Sequence, residues 1–414
     1  MAQTVDPPRK ILIVCQHFWP EAFRINDICD YLVDRNCSID VLCGLPNYPS
    51  GVFSDGYSYF KPRRQEHNGA QIYRTFEIPR GNNSNLRILL NYLSFPWASL
   101  FHIPRLLTYK YDKIFIYQLS PILMAISGVI IGRLKRIETT MYVLDLWPEN
   151  LFSVLDIQQP LLRRLITIVS YWHYRHVDKL IVLSEQMKVR IIQITGASPD
   201  RVIVLPQACE KIYEETSRDV ELVERFEGGF NILYAGNISP AQSFETMIDA
   251  AKLLRDSGLH DMRWIIVGDG MSRKNEQTAV HAAGLDQWFH FEGHHPIDDI
   301  PAYTDVADVL VGCLVKSALL EATIPAKVMS YFAAGKPMVV SMDGEVQKLV
   351  NETVQCGYAS PTGNAVALAE NLRKVYALSP KERATMGQRA RNHHFKYFQR
   401  NIILGKLYDF VFKQ

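Results

Sequence analysis

The chain reads as an α/β protein built from two doubly wound parallel-sheet domains. Three observations predict this. Short β-branched runs alternate with amphipathic helical stretches, the pattern of parallel strands covered by helices. The alternation pauses at a charged stretch, 210–229, and then restarts. At about 150 residues per domain, 414 residues suffice for two or three domains.

Taken in order, the first block places strands at 10–15, 38–43, 71–75, 113–117, 140–144, 179–183 and 202–205, with helices at 25–34, 85–109, 121–136, 159–176 and 185–195. The second block places strands at 231–234, 263–267, 288–292, 309–313, 337–340 and 357–359, again separated by helices. These blocks predict one domain over 1–205 and another over 206–394, with an aromatic-rich last helix at about 395–414 packing back on the first. In such sheets ligands bind beyond the carboxyl ends of the strands, so the loops that follow each strand are where chemistry is expected.

Composition narrows the class. With 48% hydrophobic and 21% charged residues, 23 Gly and 21 Pro, the chain is neither collagenous nor disordered. Its seven cysteines include no CxxC pair and several lie in apolar runs, which predicts buried free thiols, a reducing compartment and no structural zinc. Asp298 and Asp299 are adjacent at a helix start, a capping pattern rather than a metal pair. No long apolar h-region opens the sequence, and the most apolar stretch, 86–107, is broken by Asn91, Pro96, His102, Pro104 and Arg105, so a cytoplasmic location is expected.

Charge is uneven. Residues 1–205 carry 23 basic and 17 acidic side chains, residues 206–414 carry 22 and 26, and 57–136 alone carry 12 against 3. This surplus accompanies apolar residues, which fits anionic lipid and argues against nucleic acid. The segment 86–97, flanked by Arg80, Arg87 and Arg105, reads either as a buried helix or as an interfacial seat on an anionic membrane surface. The aromatic run 171–176 divides evenly between burial and an interface.

The loop after the first strand, 15–21, contains no glycine, which excludes the dinucleotide fingerprint there. The second block differs. Gly236-Asn237, Gly268-Asp269-Gly270 and Gly293-His294 each follow a strand, and glycine at such a place lets backbone N–H groups approach a phosphate without a metal. Pro325 and Gly335-Lys336-Pro337 frame one helix of about ten residues. Lys327 lies in its first turn, where a cation opposes the helix dipole and calls for an anionic partner.

The strand-end glycines, the VGDG loop and the P-x-K-x6-A-x-G-K-P helix together resemble the donor half of family 4 glycosyltransferases of the GT-B fold. Phe18-Trp19-Pro20-Glu21-x2-Arg24-x-Asn26-Asp27, Leu45-Pro46-Asn47-Tyr48-Pro49-x-Gly51 and Asp145-Leu146-Trp147-Pro148-Glu149 are narrower, and are similar to the branch of N-acetyl-fucosamine (aminosugar) transferases of bacterial O-antigen and capsule assembly. The resemblance covers residues 10–410 and implies two domains facing a cleft, an acceptor-binding N-terminal one and a nucleotide-sugar-binding C-terminal one. It also implies metal-independent, retaining transfer from a UDP-sugar to an undecaprenyl-diphosphate-linked sugar, with UDP-sugar as co-substrate and no separate cofactor. On that basis Asp145, Glu149 and Arg24 are the candidate catalytic residues. Gly236, Asn237, Gly268, Asp269, Gly270, Gly293, His294, Lys327 and Ser330 are the candidate nucleotide contacts. The sequence departs from the family at Ser330, where a ribose-gripping glutamate is common, at Asn237 and 241–243, where Arg and Lys often clamp the pyrophosphate, and at Leu144, where a histidine often precedes the aspartate. Two other readings share the fold: a UDP-N-acetylglucosamine 2-epimerase, and a partner subunit that has lost catalysis.

Overall fold

A computed structural model describes residues 9–81, 84–154, 157–209, 211–214, 219–321 and 323–412. The chain divides into two compact units, one comprising Met1–Leu205 with Leu404–Gln414 and the other Pro206–Ile403. Each is an α/β sheet.

The first unit contains β1 (Lys10–Val14), β2 (Ser38–Cys43), β3 (Arg64–His67), β4 (Ala70–Arg74), β5 (Lys113–Gln118), β6 (Thr139–Val143), β7 (Lys179–Val182) and β8 (Val202–Val204). Their spatial order is β3-β4-β2-β1-β5-β6-β7-β8, parallel throughout except for the β3–β4 hairpin. The central strands are buried along nearly their whole length, as a sheet covered on both faces requires. Its helices include α1 (Arg24–Val33), α2 (Asn85–Leu100), α3 (Ile126–Lys135), α4 (Glu149–Val154), α5 (Pro160–Arg175) and α6 (Glu185–Thr195).

The second unit contains β9 (Phe230–Ala235), β10 (Met262–Val267), β11 (Phe289–Gly293), β12 (Val309–Cys313), β13 (Met338–Ser341) and β14 (Gly357–Ser360), all parallel in the order β11-β10-β9-β12-β13-β14. Among its helices are α7 (Phe244–Asp256), α8 (Arg273–Ala282), α9 (Ala326–Ala334) and α10 (Ala365–Ala377). Its core joins Ile232, Tyr234, Trp264, Ile266, Val309 and Val311 of the strands to Met247, Leu254, Leu368 and Leu372 of the helices. The strand order reverses at β9, so the loops after β9 and β12 leave the sheet on opposite sides and open a crevice between them.

Several elements differ from the sequence expectation. β3 was not anticipated, because Arg64-Gln65-Glu66-His67 is polar; it is an exposed edge held by pairing to β4. The helix expected over 85–109 stops at Leu100 and restarts as a short turn, Ile103–Leu106, with Pro104 in its first turn, where a missing N–H leaves no bond unmade. The expected 121–136 helix opens with a tight turn, Ile122–Ala125. The final segment breaks at Gln399 into a wide turn, His394–Phe398, and α11 (Arg400–Phe412). Only from Leu404 onward does it belong to the first unit, where Gly405 lies against Tyr31 and the Phe410 carbonyl accepts from Lys179. Asp299 makes no capping hydrogen bond and instead lies 3.5 Å from His295.

Candidate functional site

In the second unit three strand ends are joined by their glycines. Gly236 N–H donates to the Val267 carbonyl at 2.9 Å, and Gly268 N–H donates to the Gly293 carbonyl at 2.7 Å. A Cβ on Gly268 would lie 2.0 Å from the Gly236 carbonyl oxygen, and its φ of +141° is one that other residues rarely adopt. A Cβ on Gly270 would lie 2.2 Å from the Ile238 carbonyl. Close approach of backbone to backbone therefore demands glycine at 268 and 270, and the row Gly236-Gly268-Gly293 carries no side chain of its own.

Lys327 stands at one end of this row. Tyr331, one turn later on α9, accepts from Ala235 N–H at 2.9 Å and donates to the Val311 carbonyl at 3.1 Å, which seats the helix against β9 and β12. That register brings Lys327 Nζ to 3.3 Å from where a Gly236 Cβ would be. The ammonium donates to Tyr234 Oη at 2.8 Å and to Gln242 Oε1, and lies 4.1 Å from the Tyr234 ring centre. Each of these partners is neutral. Burial pushes the Lys327 pKa down to about 7, opposed by the neighbouring Cys313. A cation with no counter-ion among the described residues, at a helix N-terminus, is poised to accept one.

Arg273, in the first turn of α8, stands at the other end. Its guanidinium is 3.4 Å from the Cβ position of Gly293 and 3.5 Å from Asp269, and its Nε is buried without a hydrogen-bond partner. Sequence reading marked 241–243, which includes Gln242, as a place where a clamping cation is often found, and it missed Arg273. Asn237 and His294 are exposed beside the row. Ser330 is buried on the same helix, with its hydroxyl 3.5 Å from the Ala326 carbonyl.

In the first unit Asp145 follows β6. Its Oδ2 accepts from Ser120 Oγ at 2.7 Å, and Ser120 Oγ in turn accepts from Trp147 Nε1 at 2.9 Å and from Asn150 Nδ2 at 3.3 Å. Burial raises the Asp145 pKa, with the Ser120 hydrogen bonds opposing the shift. Arg24 opens α1; burial pushes the Tyr117 phenol up, and Arg24 is the charge that opposes this while Asp145 adds to it. Both candidates therefore act on one neighbourhood at the ends of β5 and β6. Glu149 is placed differently. Its Oε1 is held by Arg190, 2.6 Å away, which ties α4 to α6.

A buried polar network below these loops was also missed. Glu21 Oε1 accepts the backbone N–H groups of Asn47 and Tyr48 at 2.8 and 2.7 Å, and Glu21 Oε2 pairs with His17 Nδ1 at 2.9 Å. Glu77 Oε1 accepts from Gln16, Asn47 and Asn91 at 2.8, 3.2 and 2.7 Å. Asn26 accepts from Trp19 N–H at 2.9 Å and donates to the Glu21 carbonyl at 2.7 Å. Burial raises the Glu77 pKa, opposed first by His17. The narrow N-terminal motifs thus supply the side chains that lock the loops after β1, β2 and β4 together. Among the described residues no group of three His, Cys, Asp or Glu could hold a metal ion, and all seven cysteines are buried.

Two parallel α/β units, one with a glycine row flanked by a lysine and an arginine, define the GT-B class of sugar-transferring enzymes. Known proteins agree. Residues 218–393 match the family described as glycosyl transferases group 1, and residues 22–208 match the glycosyl transferase 4-like domain. The chain belongs to this family of retaining, metal-independent glycosyltransferases. It is 30% identical over 225 residues to the 2-deoxystreptamine glucosyltransferase of Streptomyces kanamyceticus, a match that spans 53% of this chain and 55% of that protein. It is 24% identical over 351 residues to WcaI of Escherichia coli (strain K12), a glycosyl transferase assigned to colanic acid biosynthesis, covering 81% and 83% of the two chains. Among solved structures it resembles HepE of Anabaena in complex with UDP, with a TM-score of 0.70 and 16% identity over 97% and 98% of the chains.

Proposed function

We propose that this glycosyltransferase moves an N-acetylated sugar from a UDP-sugar to an undecaprenyl-diphosphate-linked sugar during assembly of a bacterial surface polysaccharide such as O-antigen or capsule. The glycine row with Lys327 at its end is the observation that carries the donor half of this reading. A diphosphate laid against Gly236 meets an ammonium with no counter-ion among the described residues, together with the first N–H groups of α9. HepE, which shares the fold, binds UDP and UDP-glucose. WcaI and the amylovoran biosynthesis glycosyltransferase AmsK of Erwinia amylovora support a polysaccharide context.

In the proposed reaction the bond from the anomeric carbon to the β-phosphate oxygen breaks as the acceptor hydroxyl attacks the same face. The hydroxyl proton passes to the departing phosphate oxygen. The protein's task is to stabilise the leaving diphosphate and to orient the acceptor. Lys327 serves the first; Asp145 and Arg24 serve the second. Arg273, half neutralised by Asp269, suits the uncharged end of the nucleotide better than the diphosphate. No helix among the described residues is long and apolar enough to cross a membrane, and the proposed location is the cytoplasmic membrane face, reached through the α2 segment.

The test is UDP release by purified protein given UDP-sugars and a lipid-linked acceptor. Release that depends on both substrates supports the reading. Sugar interconversion without acceptor would replace it with an epimerase, and neither product would leave a partner subunit.

A further inference from the structure

Two helices of the first unit turn an apolar stripe outward. On α2, Leu86, Leu90, Leu93 and Trp97 are 66%, 37%, 38% and 67% exposed; on α5, Leu161, Leu165, Ile168 and Trp172 are 82%, 58%, 56% and 36% exposed. Both sets follow the spacing i, i+4, i+7, i+11, which lines one face of a helix over three turns. The inner side of α5 buries Ser170, His173 and Tyr174.

Topology places the stripes together. The steps from β4 through α2 to β5, from β5 through α3 to β6, and from β6 through α5 to β7 all run in the same direction across the sheet. Right-handed crossovers put all three helices on one face of it. Moreover, α2 and α5 both pack on the Ile122–Ala125 turn. An exposed apolar surface of this extent on a folded protein marks an interaction site.

Charge identifies what covers it. Neither helix contains an acidic residue, while Arg87, Arg163, Arg164 and Arg175 are exposed on them, and Arg133, Lys135 and Arg136 are exposed at the end of α3. Two copies packed stripe to stripe would bring arginines together with no carboxylate on these helices to pair them. An anionic bilayer supplies both the hydrocarbon and the counter-charge. We propose that α5 is a membrane-contacting helix in its own right, and that α2 and α5 form a two-helix shelf seated on an anionic bilayer. The proposal deepens the lipid-linked acceptor reading and rests on it. Arg80, which the sequence grouped with the membrane cations, does not belong to the shelf: its guanidinium lies over the Tyr48 and Tyr92 rings and donates to Asn91.

The native cysteines are all buried, so an introduced surface cysteine can be labelled alone. Leu93→Cys, Leu165→Cys and, in the second unit, Val366→Cys carry a bimane fluorophore in the full-length chain, mixed with phosphatidylglycerol-containing vesicles that hold nitroxide-labelled lipid. Quenching at positions 93 and 165 but not at 366, lost on neutral vesicles, is the expected result. Quenching at 93 without 165 would overturn the role of α5 while leaving the α2 seat. Quenching at neither would overturn both, whereas UDP release onto a lipid-linked acceptor in detergent would still test the transferase reading separately. Disulfide cross-linking of Leu165→Cys between copies in the absence of lipid, without quenching in its presence, would make the stripe an interface between copies and overturn the proposal. As a second variant, R163E/R164E should reduce co-sedimentation with anionic vesicles roughly tenfold or more while UDP affinity is unchanged.

Discussion

The strand-end loops of the two units are held together by opposite means. In the first unit, side chains do it: Glu21 and Glu77 reach from one loop to the next and accept four side-chain or backbone donors from Asn47, Tyr48, Gln16 and Asn91 within 2.8 Å. In the second, backbone does it: Gly236 N–H donates to the Val267 carbonyl and Gly268 N–H to the Gly293 carbonyl. A loop edge packed with buried polar side chains is rigid but full, whereas a glycine edge is equally close-packed behind and open in front. The first arrangement supports a site; the second can be one.

This contrast can be broken from either side. The largest effect is expected for Glu21→Ala, which strands the buried Asn47 N–H, the part-buried Tyr48 N–H and the His17 ring. At about 1–3 kcal/mol for each unsatisfied group, it should lower stability by roughly 3 kcal/mol or more in denaturant titrations. UDP binding by the folded fraction should persist. Gly268→Ala is the converse: the methyl group collides with the Gly236 carbonyl, and UDP affinity measured by calorimetry should fall by about a hundredfold. If it bound UDP normally, the glycine row would not be the donor site.

Lys327→Ala removes one charge-assisted contact of about 1.5–3 kcal/mol and should weaken UDP by roughly tenfold or more in the same assay. Asp145→Asn should lower turnover by about tenfold at unchanged UDP affinity, because the lost interaction belongs to transfer rather than to donor binding. An equal loss of stability and turnover would reduce Asp145 to a brace for Ser120 and Trp147.

The subtlest effect is in pH. Burial holds Lys327 near pKa 7, below its ordinary 10.5, so the free protein loses this charge as pH rises through about 7. A bound diphosphate favours the charged form and raises the pKa again, so binding takes up a proton above pH 7. UDP affinity should then fall by up to about tenfold per unit between pH 7 and 9. Calorimetry in buffers of different ionisation enthalpy would register the proton, and Lys327→Met should abolish both the uptake and the slope. The same shift acts on folding with the opposite sign: the penalty for a charged Lys327 is present below pH 7 and relieved as pH rises from 7 towards 10.5.

Most strands were legible because parallel strands buried on both faces are runs of Val, Ile and Leu, and 38–43, 309–313 and the helix 185–195 coincide with β2, β12 and α6. The polar edge strand β3 was not, since its hydrogen bonds to β4 rather than its composition make it a strand. The glycine row was legible as three glycines after three strands. Arg273 was not, because an arginine in a helix's first turn looks like any surface cation until β10 and β11 bring it to Gly293.

Local chemistry by itself determined the two alternating blocks, the glycines at the strand ends, the lysine in the first turn of α9 and the family. These depend on residue type and near-neighbour spacing, which the chain order states directly. Only the tertiary structure decided which motif residues are supports and which face open space. Glu21, Asn47 and Asn26 stand in the motifs that carry the resemblance, and they spend their hydrogen bonds on neighbouring loops, while the candidate Glu149 spends its own on Arg190. Likewise the apolar stripes of α2 and α5 have the spacing of buried helices. Whether a helix face is covered depends on what packs over it from elsewhere in the chain, and that is a property of the fold rather than of the helix.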